Sequence, residues 1–257
     1  MSFSSRLSRG AATLSALALL AVALGCGAQR VGGRTAGKPL GIGRQRLDRG
    51  TQLLNLSSRA RDRAGLGLPH LLRIGITVPD GWFNYDGWAV SKGRVSRAPV
   101  FVMFWDVARV YPTPCKWKGK PLVDPGTGVT GLAAALAKQP LRHATTPTAA
   151  ALDGHRAQYL ELSVPADVRF DKCDKGNFES WTANGWASDR SEQRPGQVDR
   201  LWILEVGGQR LVVDASYLLG ATAGDRAELQ HVVSSIRFLG CKPLKAKSRR
   251  RCYPLGA

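Results

Sequence analysis

The sequence predicts an α+β fold: an antiparallel β-sheet flanked by two helices, preceded by an export-type segment and a flexible linker. Three observations carry this. Between residues 71 and 240, strand-like runs outnumber helical ones. The loops between them are short, which favours antiparallel pairing. Two stretches alone keep a helical period. A segment of about 170 residues is ample for one core.

The elements follow in order. Ile74 to Val78 is a β-rich run closed by the turn signal Pro79-Asp80-Gly81. Trp88 to Ser91 makes a second strand. "APVFVMFWDV" makes a third, apolar on both faces and therefore central. "GVTGLAAALAKQ" is a helix ended by Pro140. "TAAALDG" and "HRAQYLELSVP" form a hairpin across Asp153-Gly154. "DRLWILEV" and "QRLVVDASYL" form another across Gly207-Gly208, where glycine supplies the positive φ of a two-residue turn. That loop length pairs Val206 with Gln209 and Glu205 with Arg210, and so on back to Leu201 with Asp214. One face is then Trp202, Leu204, Leu211 and Val213, expected in the core. The other carries a Glu205–Arg210 ion pair. "GDRAELQHVVSSIRF" is the second helix. Asp225 and Glu228 have capping-box spacing, and Leu229, Val232, Val233 and Ile236 form its apolar stripe.

The first 26 residues read as an export signal: Arg6 and Arg9, then an uncharged stretch from Ala11 to Leu24, then small residues around Cys26. The stretch is shorter than the roughly 20 residues a spanning helix needs. "ALGC" resembles a lipobox, with Gly25 in place but Leu24 one position late. Lipidation of Cys26, ordinary secretion and an uncleaved anchor all place the rest of the chain outside the cytoplasm. Residues 27–70, rich in Gly and Arg, read as a basic disordered tether, with a helical turn near Thr51 to Arg61. Residues 71–240 form the α+β domain and 241–257 a basic tail.

The net charge of +18 is uneven: +2 in residues 1–26, +7 in 27–70, +3 in 71–240 and +6 in 241–257. A nearly neutral domain between basic flanks argues against nucleic acid, which would need a basic face on the domain. The flanks suit anionic lipid or an acidic wall polymer, or simply keep a tether solvated. The membrane is a partner through the N-terminal lipid.

Five cysteines leave an odd one in an exported chain, and Cys26 supplies it. Four remain, with three possible pairings. Cys115 and Cys173 both lie in polar loops of the domain, and Cys241 and Cys252 in the tail, so these are the expected disulfides. No CxxC spacing occurs and the four histidines are scattered, which argues against zinc or another metal. No cofactor is implied.

The stretches "TVPDGW", "FWDVARVYPTPCKW", "LDGHRAQYLELSVPADVRFDKCDKGNF", "PGQVDRLWILEVGGQRLVVDASY" and "DRAELQHVVSSIRF" together resemble a family of actinobacterial-type extracytoplasmic domains of unknown function, over residues 72–239. The resemblance implies a Cys115–Cys173 bridge. The closing helix followed by "SSIRF" also looks like the PsbP-like fold of LpqN-type lipoproteins. It hands over no catalytic residue.

There is no nucleophile elbow, HExxH or Walker loop, so the expectation is a non-enzyme. Asp214 either faces solvent on the ion-pair face or serves a site. All seven tryptophans fall in the domain. Trp181 and Trp186 sit in a long polar stretch, "GNFESWTANGWASDRSEQRPGQ", where they either stack on a ligand or plug the surface. The expected function is non-catalytic binding of an envelope glycan, lipid or protein by an exported, lipid-anchored protein, with Trp181, Trp186, Asp199 and Asp214 as candidate contacts. The alternatives are a secreted wall hydrolase using Asp199 or Asp214, and a purely structural envelope protein.

Overall fold

The computed structural model describes residues 40, 43–56, 72–93, 98–184, 189–242 and 251–254. Cys26, Trp186 and the whole signal segment lie outside the described residues.

The strands in chain order are β1 (Arg44–Arg46), β2 (Gly50–Asn55), β3 (Leu72–Val78), β4 (Trp82–Tyr85), β5 (Ala89–Lys92), β6 (Val100–Trp105) and β7 (Val107–Val110). Helix α1 (Val129–Ala137) precedes β8 (His143–Ala144), β9 (Thr148–Leu152), β10 (His155–Ser163), β11 (Glu179–Ala183) and β12 (Arg190–Ser191). Then come β13 (Val198–Val206), β14 (Gln209–Tyr217), helix α2 (Ala223–Ser234), β15 (Arg237–Lys242) and β16 (Arg251–Pro254). The main sheet runs β1-β4-β5-β6-β14-β13-β10-β8, with β9 also paired to β10. A small sheet runs β12-β11-β7 and a third β16-β15-β3-β2. The named strand pairs are antiparallel. No helix among the described residues is long and apolar enough to cross a membrane.

β6 lies in mid-sheet with every residue buried, as its two apolar faces imply. The β13–β14 register is the one the Gly-Gly turn dictates, Val206 opposite Gln209 through Leu201 opposite Asp214. Gly207 and Gly208 take φ of 59° and 80°. The assignment of the faces needs correction. Leu201, Ile203, Val212 and Asp214 are as buried as Leu204, Leu211 and Val213, while Trp202 is only partly buried. Both faces of this hairpin are covered, so alternation could not separate a wet side from a dry one. Glu205 and Arg210 do stand opposite each other. The Arg210 guanidinium, however, donates to the carbonyls of Gly126, Gly128 and Val107.

The basic stretch expected to be a tether supplies two strands. β2 pairs with β3 and β1 with β4, so Thr51 starts no helical turn. Leu47, Leu53, Leu54 and Leu56 are buried, and these leucines are the apolar signal hidden among the arginines. β4 itself is new, since "WFNY" is short and closes on a turn at Asp86-Gly87. Helix α2 is capped one turn earlier than the spacing suggested. Thr222 is the N-cap, its hydroxyl accepting from the Asp225 amide while the Asp225 carboxylate accepts from the Thr222 amide. Leu229, Val232, Val233 and Ile236 are buried as a stripe. Glu228 instead accepts from Lys92 Nζ at 2.8 Å and Trp82 Nε1 at 3.3 Å. These contacts place α2 on the sheet face that carries Trp82 and Lys92.

Cys115 and Cys173 form a disulfide, with Cα atoms 4.5 Å apart. The tail also joins a sheet: β16 sets Cys252 directly opposite Cys241, and Pro254 opposite Leu239. Proline has no N–H, so Leu239–Pro254 cannot exchange two backbone hydrogen bonds. Antiparallel pairs alternate, which makes Cys241–Cys252 another non-hydrogen-bonded pair, the closer kind, at about 4.5 Å between Cα atoms. That spacing accepts a disulfide. Mass mapping of alkylated protein is expected to show Cys241 and Cys252 modified only after reduction. Free alkylation of both under native conditions would refute the pairing.

Candidate functional site

Strand alternation puts one set of side chains on the sheet face opposite α2. Tyr85 pairs with Ala89 and Phe83 with Ser91. Ala89 pairs with Met103 and Ser91 with Phe101. Met103 pairs with Asp214 and Phe101 with Ser216. Ser216 pairs in turn with Asp199. Over the β14–β13 end of this face, the small sheet packs Trp181 edge-on to Trp105 at 5.7 Å and brings in Arg190. The other end is left as a cleft of about 260 Å³. Its lining includes Tyr85, Trp88, Phe101, Met103, Trp105 and Arg190.

Asp199 and Asp214 are both fully buried, so the solvent-facing reading of Asp214 is wrong. They are brought together in a centre of two guanidiniums and three carboxylates. Arg190 reaches Asp214 at 3.0 Å, Asp199 at 3.0 Å and Glu192 at 3.2 Å. Arg142 pairs with Glu192 at 2.8 Å and with Asp199. Ser180, Gln197 and Ser216, all buried, complete the hydrogen bonding. Burying five ionisable groups together is tolerable only because each has partners.

Two cations against three acids leave one acid in excess. Burial pushes Glu192 up to about 7 and Asp214 up to about 6, against the pull of Arg190. Burial would raise Asp199 too, but Arg190 and Arg142 outweigh it and hold Asp199 down at about 2. Glu192 accepts from Arg142, Ser180 and Gln197, with Arg190 at ion-pair distance. Asp199 accepts from Arg142, Arg190, Gln197 and Ser216. Asp214 Oδ2 accepts from Arg190 Nε and Trp105 Nε1, while its Oδ1 meets the Ser216 hydroxyl at 2.5 Å. Ser216 has one proton to offer to both Asp199 Oδ1, at 2.8 Å, and Asp214 Oδ1, at 2.5 Å. The excess acid is shared between Glu192 and Asp214, the two that burial raises.

A carboxyl held above its unfolded value of about 3.9 favours the folded state at low pH. That contribution is complete below the unfolded pKa and is lost as pH rises through about 6, the folded value of Asp214. An asparagine reproduces the protonated acid, its amide donating to Ser216 and its oxygen accepting from Arg190 and Trp105. Asp214→Asn is thus expected to match the wild type within about 1 kcal/mol at pH 5. By pH 8 it should be the more stable protein. Urea unfolding at the two pH values checks this, and a variant equally destabilised at both would place the proton elsewhere.

Trp181 is fully buried on β11, not a loop contact, and the polar stretch around it folds as the β11–β12 pair. The residues missed by sequence are Arg142, Arg190, Glu192 and Ser216. One signal was present. Carrying the hairpin count two residues further sets Asp199 opposite Ser216, which puts both aspartates on one face beside an all-apolar strand. No group of three or more metal-ligating side chains suited to a metal ion occurs among the described residues. The cleft is lined by Arg190 but by neither aspartate.

Fold and site together define an antiparallel β-sheet protein in which a buried ionic centre forms the back wall of an open aromatic cleft. Two solved structures are similar to it. LpqN, described as involved in cell envelope biogenesis of Mycobacterium tuberculosis, is 13% identical with a TM-score of 0.36, covering 71% of this chain and 95% of LpqN. Cyanobacterial PsbP (CyanoP) from Synechocystis sp. PCC 6803 is 17% identical with a TM-score of 0.28, covering 67% of this chain and 95% of that one. No protein-family model and no curated protein sequence matches the chain.

Proposed function

We propose that this is an exported cell-envelope protein that binds an envelope ligand in the aromatic cleft without catalysis, tethered to the membrane by a lipid on Cys26. The cleft carries the reading. Tyr85, Trp88, Phe101, Met103 and Trp105 line it, Tyr85 half-buried and the other four buried behind it, so the hollow has an apolar, closely packed wall. Concave, mainly apolar hollows with a few fixed polar groups are where ligands bind. Trp88 and Trp105 stack edge-on at 4.8 Å, and Arg190 lies 5.7 Å from the Phe101 ring and 6.0 Å from that of Trp105. The ionic centre thereby fixes the wall before any ligand arrives. Export is supported by the N-terminal charge and apolar pattern and by the Cys115–Cys173 bridge, which suits an oxidising compartment.

Binding is tested by tryptophan emission, since Trp88 and Trp105 line the cleft. Two single-chain probes are titrated below their micellar concentrations: dodecyl phosphate and a neutral dodecyl polyoxyethylene ether. A saturable change with either probe is expected, lost when Gln193→Trp fills the cleft mouth. No saturable change with either, or one that survives Gln193→Trp, would overturn the cleft as the site. The tether is tested by intact mass of protein extracted from host membranes, which should begin at Cys26 and include a diacylglyceryl group.

A further inference from the structure

A second hollow, also of about 260 Å³, adjoins the cleft and shares Tyr85 and Ser91 with it. Its other lining residues are Arg44, Arg46, Phe83, Asn84 and Gly93. The two arginines come from β1, opposite Tyr85 and Phe83 respectively. Their side chains therefore stand on the same sheet face as the aromatic floor, at its edge. Arg44 packs its guanidinium 4.4 Å from the Tyr85 ring and donates to the Tyr85 hydroxyl. Both arginines are exposed. No carboxylate among the described residues lies within ion-pair distance of either.

The other cations along this face are already matched. Arg190 faces three carboxylates, while Asp189, which lines the cleft beside Arg190 and away from β1, accepts from the neutral Tyr111 hydroxyl at 2.7 Å and keeps its negative charge there. Lys92 is turned to the opposite face, held by Asp225 at 2.9 Å and Glu228 at 2.8 Å. The unbalanced positive charge thus sits at one end of an apolar trough. A neutral ligand would leave it unused. A small inorganic anion would leave the aromatic floor uncovered.

Resting on the reading of the cleft as a ligand site, we infer that its ligand is a single-chain amphiphile with an anionic head, the head held by Arg44 and Arg46 and the chain laid over the half-buried Phe83 and Tyr85 toward the cleft. The basic stretch of the sequence then acts as half of the binding site as well as a link to the membrane.

The test adds inorganic phosphate to the two probes above and uses the full chain and its Arg44→Gln/Arg46→Gln variant. Both substitutions are at exposed positions, and far-UV circular dichroism confirms folding. Dodecyl phosphate is expected to bind about tenfold tighter than the neutral ether. The double variant should erase that advantage, the affinity for dodecyl phosphate falling to that of the ether. Raising salt from about 0.05 to 0.5 M should shrink the advantage in the wild type alone. Equal affinity for the two probes would overturn the anionic head while leaving the cleft reading intact. Binding of neither would overturn the cleft reading as well. Inorganic phosphate binding as tightly as dodecyl phosphate would show a bare anion site and refute the amphiphile.

Discussion

Arg190→Ala is expected to remove about 3–5 kcal/mol of folding stability. The side chain is 3% exposed and, among the described residues, is the cation that touches all three acids of the centre. Without it, Arg142 alone faces Glu192, Asp199 and Asp214. Two of the acids must then bind protons or remain charged in a dry interior, and Asp199, held low by the two arginines, becomes expensive to keep ionised. Small domains have about 5–15 kcal/mol in total, so the variant should be partly unfolded at 37 °C. Chemical denaturation at 20 °C and pH 7 measures it. Arg190→Lys should recover little, since an ammonium cannot present Nε to Asp214 and Nη2 to Asp199 at once. A loss under about 1 kcal/mol would mean that water reaches the centre and screens it.

Replacing Cys115 and Cys173 together by serine is the next largest expected effect, about 2–4 kcal/mol. The bridge closes a loop of 58 residues, for which chain entropy alone suggests about 4 kcal/mol. Part of that loop stays pinned without the bridge. The Asp174 amide donates to the Cys115 carbonyl at 2.8 Å, the Lys118 amide to the Asp174 carboxylate at 2.8 Å, and the Glu179 amide to the Pro114 carbonyl at 2.8 Å. Val164 and Phe178 also form a small separate core with the two cysteines. The loss should therefore appear in the denaturation midpoint with the native spectrum retained. Failure to fold at all would show that these contacts depend on the bridge.

The parts of the fold that were legible in the sequence are those set by local chemistry. Gly207-Gly208 fixes a turn, the turn fixes a register, and the register holds for nine pairs. Asp153-Gly154 does the same for β9 and β10, with φ of 49° and 80°. What was not legible depends on partners distant in sequence. Arg44 and Arg46 look like linker residues until Phe83 and Tyr85 are beside them. Trp181 looks exposed because its neighbours in sequence are polar, yet β7 and β12 flank it in the sheet and Trp105 lies under it. The ionic centre draws on β12, β13, β14 and the segment after α1, and no local pattern announces that Arg142 and Arg190 converge there. The sequence offers both aspartates as candidate ligand contacts, whereas the structure uses them in the buried centre.

The pairing of β2 with β3 has a practical consequence for how the chain may be cut. Composition changes at Leu71, and a truncation starting there would look like a tidy excision of a domain. It would strip β2 from β3, leaving the backbone of Leu72–Val78 unpaired along one side, with Ile74, Ile76 and Val78 robbed of Leu54 and Leu56. It would also remove β1 and lay β4 open. Long apolar edges of that kind recruit strands from other molecules. Such a fragment should aggregate, whereas one beginning ahead of Leu40 keeps both edges covered.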